Sequence, residues 1–179
     1  ECGITMYGVS TGLTPAGMDL GSGGFAVLSR PSVMLVIDDG TPADDAGEIW
    51  HLLDTRYSMP VTLISPSRMG TANLGRYNVI IIAGNPSISS LAVDRLREWN
   101  RSGGTLIGYR GGNRWLADNG FAQITYAESA ATPPGLSARY ADRGMERAIH
   151  TVPGTIFNAV IDSTHPLCYG YTGTHLPVF

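Results

Sequence analysis

The sequence predicts an α/β fold built on a doubly wound, mostly parallel sheet. Apolar runs suited to strands buried on both faces occur at residues 33–37 and 77–83. Stretches with helical periodicity alternate with the predicted strands from residue 32 to residue 120. The connections between them are short and rich in Gly, Pro and Ser. This alternation is typical of units in which helices cover both faces of a parallel sheet.

The first strand–helix unit is predicted at residues 32–57. Its apolar run ends at Asp38-Asp39-Gly40. Thr41 is predicted to cap the helix that follows, with Pro42 in the first helical position. The apolar stripe of this helix is predicted to consist of Ala46, Ile49, Trp50, Leu53 and Tyr57. Ligands of such folds bind beyond the carboxyl ends of the strands, so the acidic turn is the first candidate site.

Further strands are predicted at residues 60–65 and 105–109, giving the strand order 2-1-3-4. Residues 121–126 and 155–161 are predicted to be later additions to the same sheet. A short strand is also predicted at residues 4–9, ahead of the first apolar run.

Two further helices and the domain organisation follow from composition. One helix is predicted to be capped by Ser89 or Ser90, and another to span residues 113–119. Residues 1–31 are predicted to be a lead-in segment rich in Gly and Ser, and residues 32–179 a single α/β domain.

Composition excludes several classes of function. A net charge of −3 over 179 residues gives no electrostatic footprint for nucleic acid. All twelve basic residues are Arg, which excludes Lys-dependent phosphate binding and Schiff-base chemistry. No apolar run approaches eighteen residues, so no membrane span is predicted. The start at Glu1 is expected for a mature product or a piece of a longer protein, and pairing of Cys2 with Cys168 is left open.

The acidic turn, with Asp38, Asp39, Asp44 and Asp45, is compatible with three interpretations. Paired carboxylates after a first strand hold magnesium in phospho-acceptor receiver domains. However, the third strand ends at Ala83-Gly84-Asn85 without an acid, and the chain has no Lys, so that interpretation fails. The alternatives left are a site for a hard cation and solvated acids that cap the helix. The candidate ligand-binding residues are Asp38, Asp39, Gly84, Asn85, Arg110 and Gly111.

Arg110 stands where a nucleophile elbow would place its nucleophile. The segment Gly108-Tyr-Arg-Gly-Gly112 joins a predicted strand to a predicted helix, and glycines there allow a tight turn. A guanidinium stays protonated and cannot attack a carbonyl. Arg110 can instead bind an anion or pair with Asp38 or Asp39.

Two histidines are weaker candidates. His51 and Asp54 lie three residues apart on a predicted helix, a spacing that can ligate zinc, but no third ligand is evident. His165 follows Asp162 closely and suggests a base with its orienting acid, but no nucleophile is evident for them to activate. No metal and no cofactor are predicted.

Taken together, several segments resemble a known family. The elbow placement and strand order resemble the class I glutamine amidotransferase superfamily, whose flavodoxin-like core carries Cys at the elbow and a later His with an acid. Residues 17–22, 45–54, 104–108 and 162–167 resemble an amidotransferase-like domain that follows the catalytic domain in some large secreted bacterial zinc carboxypeptidases. The resemblance implies a secreted or periplasmic location and an adjacent peptidase domain as partner.

The sequence departs from that family at its chemistry. Arg110 replaces the nucleophilic Cys, and the zinc-binding set of a carboxypeptidase is missing. The favoured function is a non-catalytic accessory domain that binds a peptide, a glycan or a small anion, or packs against the peptidase domain. The alternative is a hydrolase of a small amide or ester that uses His165 with Asp162, or the Asp38–Asp39 pair.

Overall fold

The computed structural model describes residues 5, 7–24, 28–126, 139–142, 145 and 154–178. The chain forms two compact units, residues 1–126 and residues 127–179. The predicted organisation as a lead-in segment and one domain stays a prediction.

The described part of the first unit contains four strands and three α-helices. In chain order they are β1 (Val33–Val36), α1 (Ala43–Trp50), β2 (Val61–Ile64), β3 (Val79–Ala83), α2 (Ser90–Arg101), β4 (Thr105–Tyr109) and α3 (Gly111–Asp118). A π-helical turn, His51–Arg56, continues α1, and 3₁₀ turns occupy Pro66–Arg68 and Leu74–Arg76. All three strand pairs are parallel, in the order β2-β1-β3-β4. The predicted α/β fold and strand order are confirmed.

Both faces of the sheet are covered around its central strands. Met34 and Val36 of β1 pack on one face with residues of α2 and α3, including Leu96 and Trp115. The neighbouring positions, Val33 and Leu35, pack on the opposite face against α1. All four residues of β1 are buried, which explains why its sequence is continuously apolar rather than alternating.

The start of α1 differs from the prediction. The Thr41 hydroxyl is buried without a hydrogen-bond partner among the described residues, so it does not cap the helix. Pro42 occupies the N-cap position with ψ of 133°, and the helix begins at Ala43. The prediction for α2 is confirmed, because Ser89 Oγ accepts a hydrogen bond from the Ala92 backbone N–H at 3.4 Å.

The predicted apolar stripe of α1 is also narrower than expected. Ala46, Ile49 and Leu53 pack against the sheet, whereas Trp50 is 45% exposed and Tyr57 is 61% exposed. The π-helical turn explains the position of Tyr57, because its wider winding shifts the residues after it off the α-helical spacing.

The strands predicted at residues 121–126 and 4–9 are wrong in their described parts. Phe121 and Ala122 instead donate backbone hydrogen bonds to the Leu116 carbonyl and close the end of α3. The Phe121 ring stacks on Trp115 with centroids 5.7 Å apart, so its apolar character serves the helix end. Residues 5 and 7–9 have no strand structure, and residues 4 and 6 lie outside the described residues.

The second unit contains a two-stranded antiparallel sheet. The strand predicted at 155–161 forms as β5 (Phe157–Val160) and pairs with β6 (His175–Val178), where no strand was predicted. The prediction that this strand is added to the parallel sheet is therefore wrong, because β5 pairs only with β6 among the described residues.

The start of α3 lies against the end of β3 through Gly112. A Cβ atom built on this glycine would overlap the carbonyl oxygen of Ile82, and the residue is buried. Gly47 in α1 is the opposite case, because a Cβ there meets nothing within 4 Å. Alanine substitutions at these two glycines therefore distinguish the effect of close packing from the effect of helix propensity.

We expect Gly112→Ala to lower the free energy of unfolding by about 1–3 kcal/mol, the usual cost of overpacking. We expect Gly47→Ala to raise it by about 0.5–1 kcal/mol, because alanine favours a helix interior. Urea unfolding followed by tryptophan fluorescence measures both, since all three tryptophans lie in the first unit. Equal effects of the two substitutions would contradict the packing described at Gly112.

Candidate functional site

Arg110 forms the turn between β4 and α3 in a strained backbone conformation. Its φ is 48° and its ψ is −114°, outside the regions that residues with a Cβ readily adopt. Holding a non-glycine residue there costs about 1–3 kcal/mol, and the surrounding structure must supply it. Gly111 lies directly after this turn, and a Cβ on it would meet Gly84 at 3.1 Å. The elbow is therefore enforced by close packing.

The guanidinium of Arg110 pairs with the first helix. Its Nη1 lies 2.5 Å from Asp45 Oδ1, and its Nη2 lies 3.8 Å from Glu48 Oε2. Asp45 is only 3% exposed, whereas the Arg110 side chain is 44% exposed. The ion pair thus links a buried carboxylate to a cation that reaches solvent.

Tyr109 completes the cluster from the last position of β4. Its hydroxyl donates a hydrogen bond to Glu48 Oε2 at 2.7 Å, and the Arg110 guanidinium carbon lies 5.5 Å from the centre of its ring. The pKa of Tyr109 is raised above its ordinary value, chiefly by the hydrogen bond to Glu48 and secondly by partial burial. The pKa of Arg110 is also raised. The largest cause is the negative charge of an ionised Tyr109, and the second is the charge of Asp45. We call Asp45, Glu48, Tyr109 and Arg110 the elbow cluster.

The expectation that Arg110 would pair with Asp38 or Asp39 is wrong. Those two side chains are exposed in the turn after β1, while the first turns of α1 direct Asp45 and Glu48, three residues apart, toward the elbow. Glu48 and Tyr109 are not among the site residues predicted from the sequence. The signal available in the sequence was that Glu48 lies three residues after Asp45 and that Tyr109 lies next to Arg110. However, only the rotation of α1 in the structure shows which carboxylates face the elbow.

The other predicted ligand-binding residues meet at the carboxyl edge of the sheet. The Asn85 backbone N–H donates to the Gly40 carbonyl at 2.7 Å, joining the turns after β1 and β3. Cβ atoms built on Gly40 or Gly84 would overlap the backbone of the opposite turn. Backbone therefore fills the space between these two turns, and whether their residues hold a ligand stays a prediction.

Asp162 and His165 lie in the second unit, where each side chain has a local partner. Asp162 Oδ1 accepts hydrogen bonds from the Thr164 hydroxyl at 2.6 Å and its backbone N–H at 2.9 Å. These two hydrogen bonds hold the pKa of Asp162 below its ordinary value. His165 Nδ1 accepts a hydrogen bond from the Leu167 backbone N–H at 3.2 Å, so this nitrogen is not available to donate to Asp162. The two side chains are not hydrogen-bonded as a base with its orienting acid.

His51 is exposed on the π-helical turn after α1. In the described part of the chain, no three His, Cys, Asp or Glu side chains group closely enough to hold a metal ion. Among the described helices, none has the length and apolar character needed to cross a membrane. Cys2 lies outside the described residues, so its pairing with Cys168 stays open.

The chain matches no protein-family model, no curated protein and no solved structure. The site must therefore be interpreted from its own chemistry. The elbow cluster offers two carboxylates, a phenol and a guanidinium. These groups can hold the turn in place and present a half-exposed cation, but the guanidinium at the elbow cannot act as a nucleophile.

The two partners of the ion pair should differ in their effect on stability. Arg110→Met leaves the buried Asp45 carboxylate without its cation, whereas Asp45→Asn leaves a cation that water can solvate. We expect Asp45→Asn to cost about 1 kcal/mol and Arg110→Met to cost more. Methionine retains the aliphatic stem and the positive φ, so the comparison isolates the charge.

Urea unfolding measures both variants, since urea leaves the charges unscreened. Arg114→Met is the matched control, because it removes an exposed partner of Asp118 and should change little. An equal or larger loss in Asp45→Asn than in Arg110→Met would contradict the asymmetry.

Glu48→Ala should lower the pKa of Tyr109 toward its ordinary value, because it removes both the hydrogen bond and the nearby negative charge. Since the pKa is raised in the folded state, Tyr109 contributes stability below the pKa of an unfolded tyrosine. That contribution is lost as the pH rises through the folded pKa. Titration of the tyrosine Cζ carbons by NMR measures the shift. Asp118→Ala should leave the midpoint of Tyr109 unchanged.

Proposed function

We propose that this chain contains a catalytically silent, flavodoxin-like domain of the class I glutamine amidotransferase type, with a binding or structural role. The observation that carries the proposal is the ion pair between Arg110 and Asp45 at a strained strand–helix turn. An active elbow needs a nucleophile that is free to attack. Here the position is occupied by a guanidinium that is bound to α1.

The proposed setting comes from the resemblance in sequence. The segments at 45–54 and 162–167 support an accessory domain in a larger, secreted or periplasmic protein of the zinc carboxypeptidase type. The adjacent peptidase domain is the proposed partner. A peptide, a glycan or a small anion is the proposed class of ligand.

A hydrolase that uses His165 and Asp162 has less support. The Asp162 carboxylate is engaged by Thr164, and His165 Nδ1 is engaged by a backbone amide. An orienting acid would need to accept a hydrogen bond from an N–H at that same nitrogen. The local geometry therefore favours a turn-stabilising role for both side chains.

We expect neither the natural chain nor its Arg110→Cys variant to release ammonia from glutamine. A new thiol at position 110 would face the carboxylates of Asp45 and Glu48, which disfavour the thiolate it needs to react. The elbow cluster itself contains no histidine to serve as a base.

The assay is enzyme-coupled detection of ammonia, with an active class I amidotransferase as the positive control. Arg110→Ser is the matched variant, since it removes the same cation without adding a thiol. Release of ammonia by the natural chain would overturn the silent elbow. Release by Arg110→Cys alone would show that a base and oxyanion donors are in place.

A further inference from the structure

A groove of about 500 Å³ lies at the carboxyl ends of β1 and β2. Its walls include Asp38, the outer strand from Thr62 to Ser65, and the segment that carries Arg68 and Thr71. Small-molecule sites usually have volumes of about 300–1,000 Å³. The elbow lies at the other edge of the sheet, with β1 and β3 between, so the groove is separate from the elbow cluster.

Two opposite charges line this groove. Asp38 and Arg68 are both exposed, and neither forms an ion pair or a side-chain hydrogen bond with another described residue. A guanidinium presents a fork of donors that matches a carboxylate, and a carboxylate accepts hydrogen bonds from an ammonium. The groove thus offers one partner for each end of a zwitterion.

The outer edge of β2 adds a third feature. The Ile64 carbonyl accepts from the Ile37 backbone N–H at 2.9 Å, so the peptide groups of Ile64 face β1. Because successive residues of a strand alternate, the N–H and C=O of Leu63 face away from the sheet. Among the described strands, β2 pairs only with β1. These outward groups can pair with the backbone of an extended peptide.

The wall opposite this edge is held by α2. Arg95 Nη2 donates to the Ala72 carbonyl at 2.7 Å, and its Nη1 donates to the carbonyls of Met69 and Gly70. Thr71 is fixed in the same segment, because its hydroxyl donates to the Arg68 carbonyl at 3.2 Å. The groove is therefore preorganised before any ligand arrives, which reduces the entropic cost of binding.

We infer that this groove binds a short peptide whose two termini are free. The peptide lies along the outer edge of β2, its carboxylate on Arg68, its ammonium on Asp38 and its amide on the backbone of Leu63. This inference rests on the proposed binding role of the domain and assigns it a ligand class and a place in the fold.

The test is a titration of the full chain with trialanine, followed by ¹H–¹⁵N NMR. Trialanine carries no side-chain charge, so binding reports on its termini and backbone alone. We expect the Leu63 amide to shift and the affinity to fall about tenfold in Arg68→Gln and in Asp38→Asn, the scale of a charged hydrogen bond. Asn tolerates the positive φ of Asp38, which is 67°, so the second variant keeps the turn.

Matched ligands and variants make the test specific. C-terminally amidated trialanine should bind the natural chain about tenfold more weakly, and Arg68→Gln should add no further loss for that ligand. N-acetylated trialanine should behave in the same way with Asp38→Asn. Arg76→Gln and Asp118→Asn, which alter residues outside the groove, are the controls and should bind as the natural chain does.

The absence of saturable binding would overturn the inference, as would an affinity that is unchanged from the natural chain in both groove variants, or chemical-shift changes that bypass Leu63. None of these results affects the silent elbow, which the ammonia assay tests. Conversely, ammonia release would overturn the silent elbow and leave the peptide titration as it stands.

Discussion

The ion pair between Asp45 and Arg110 is the constraint on which the carboxyl edge of the sheet depends. Asp45 is the one charged side chain that is buried among the described residues, and a buried carboxylate is costly unless a cation or hydrogen-bond donors compensate it. Its partner comes from the turn after β4, 65 residues further along the chain. The pair thus joins α1, which follows the first strand, to the outer strand β4. The rotation of α1 and the direction of the elbow are fixed together.

Backbone packing reinforces the same edge. Gly40, Gly84 and Gly112 each lie where a Cβ would overlap neighbouring backbone, so the turns after β1, β3 and β4 contact one another directly. Parallel α/β sheets commonly bind ligands in the crevice between such turns. Here carbonyls and amides of the chain itself fill the space between the turns after β1 and β3. The groove that carries the exposed, oppositely charged side chains lies further out, at the carboxyl ends of β1 and β2. Its position supports a binding role away from the elbow.

The sequence predicts the parallel sheet well because its evidence is local. The apolar runs of β1 and β3, and the glycines that follow α2 and α3, are recognised from neighbouring residues alone. The partner of Arg110 depends on how α1 rotates after Pro42, and no local pattern sets that rotation. The π-helical turn at His51–Arg56 likewise displaces Tyr57 from a stripe that looks regular in sequence. Residues 121–126 were misassigned because an apolar residue that closes a helix cannot be told from one in an edge strand without its contacts.

The strained conformation of Arg110 is imposed by the backbone that surrounds it. The turn is enforced by the close approach of Gly111 to Gly84 and of Gly112 to Ile82, not by the side chain at its centre. The side chain of Arg110 contacts Asp45, Glu48 and Tyr109, and these contacts help to offset the cost of its backbone conformation. Two constraints therefore act on the same turn, because backbone packing sets its path and the ion pair sets the direction of its side chain. Both must be satisfied together, which explains why a residue with an unfavourable φ is held at this position.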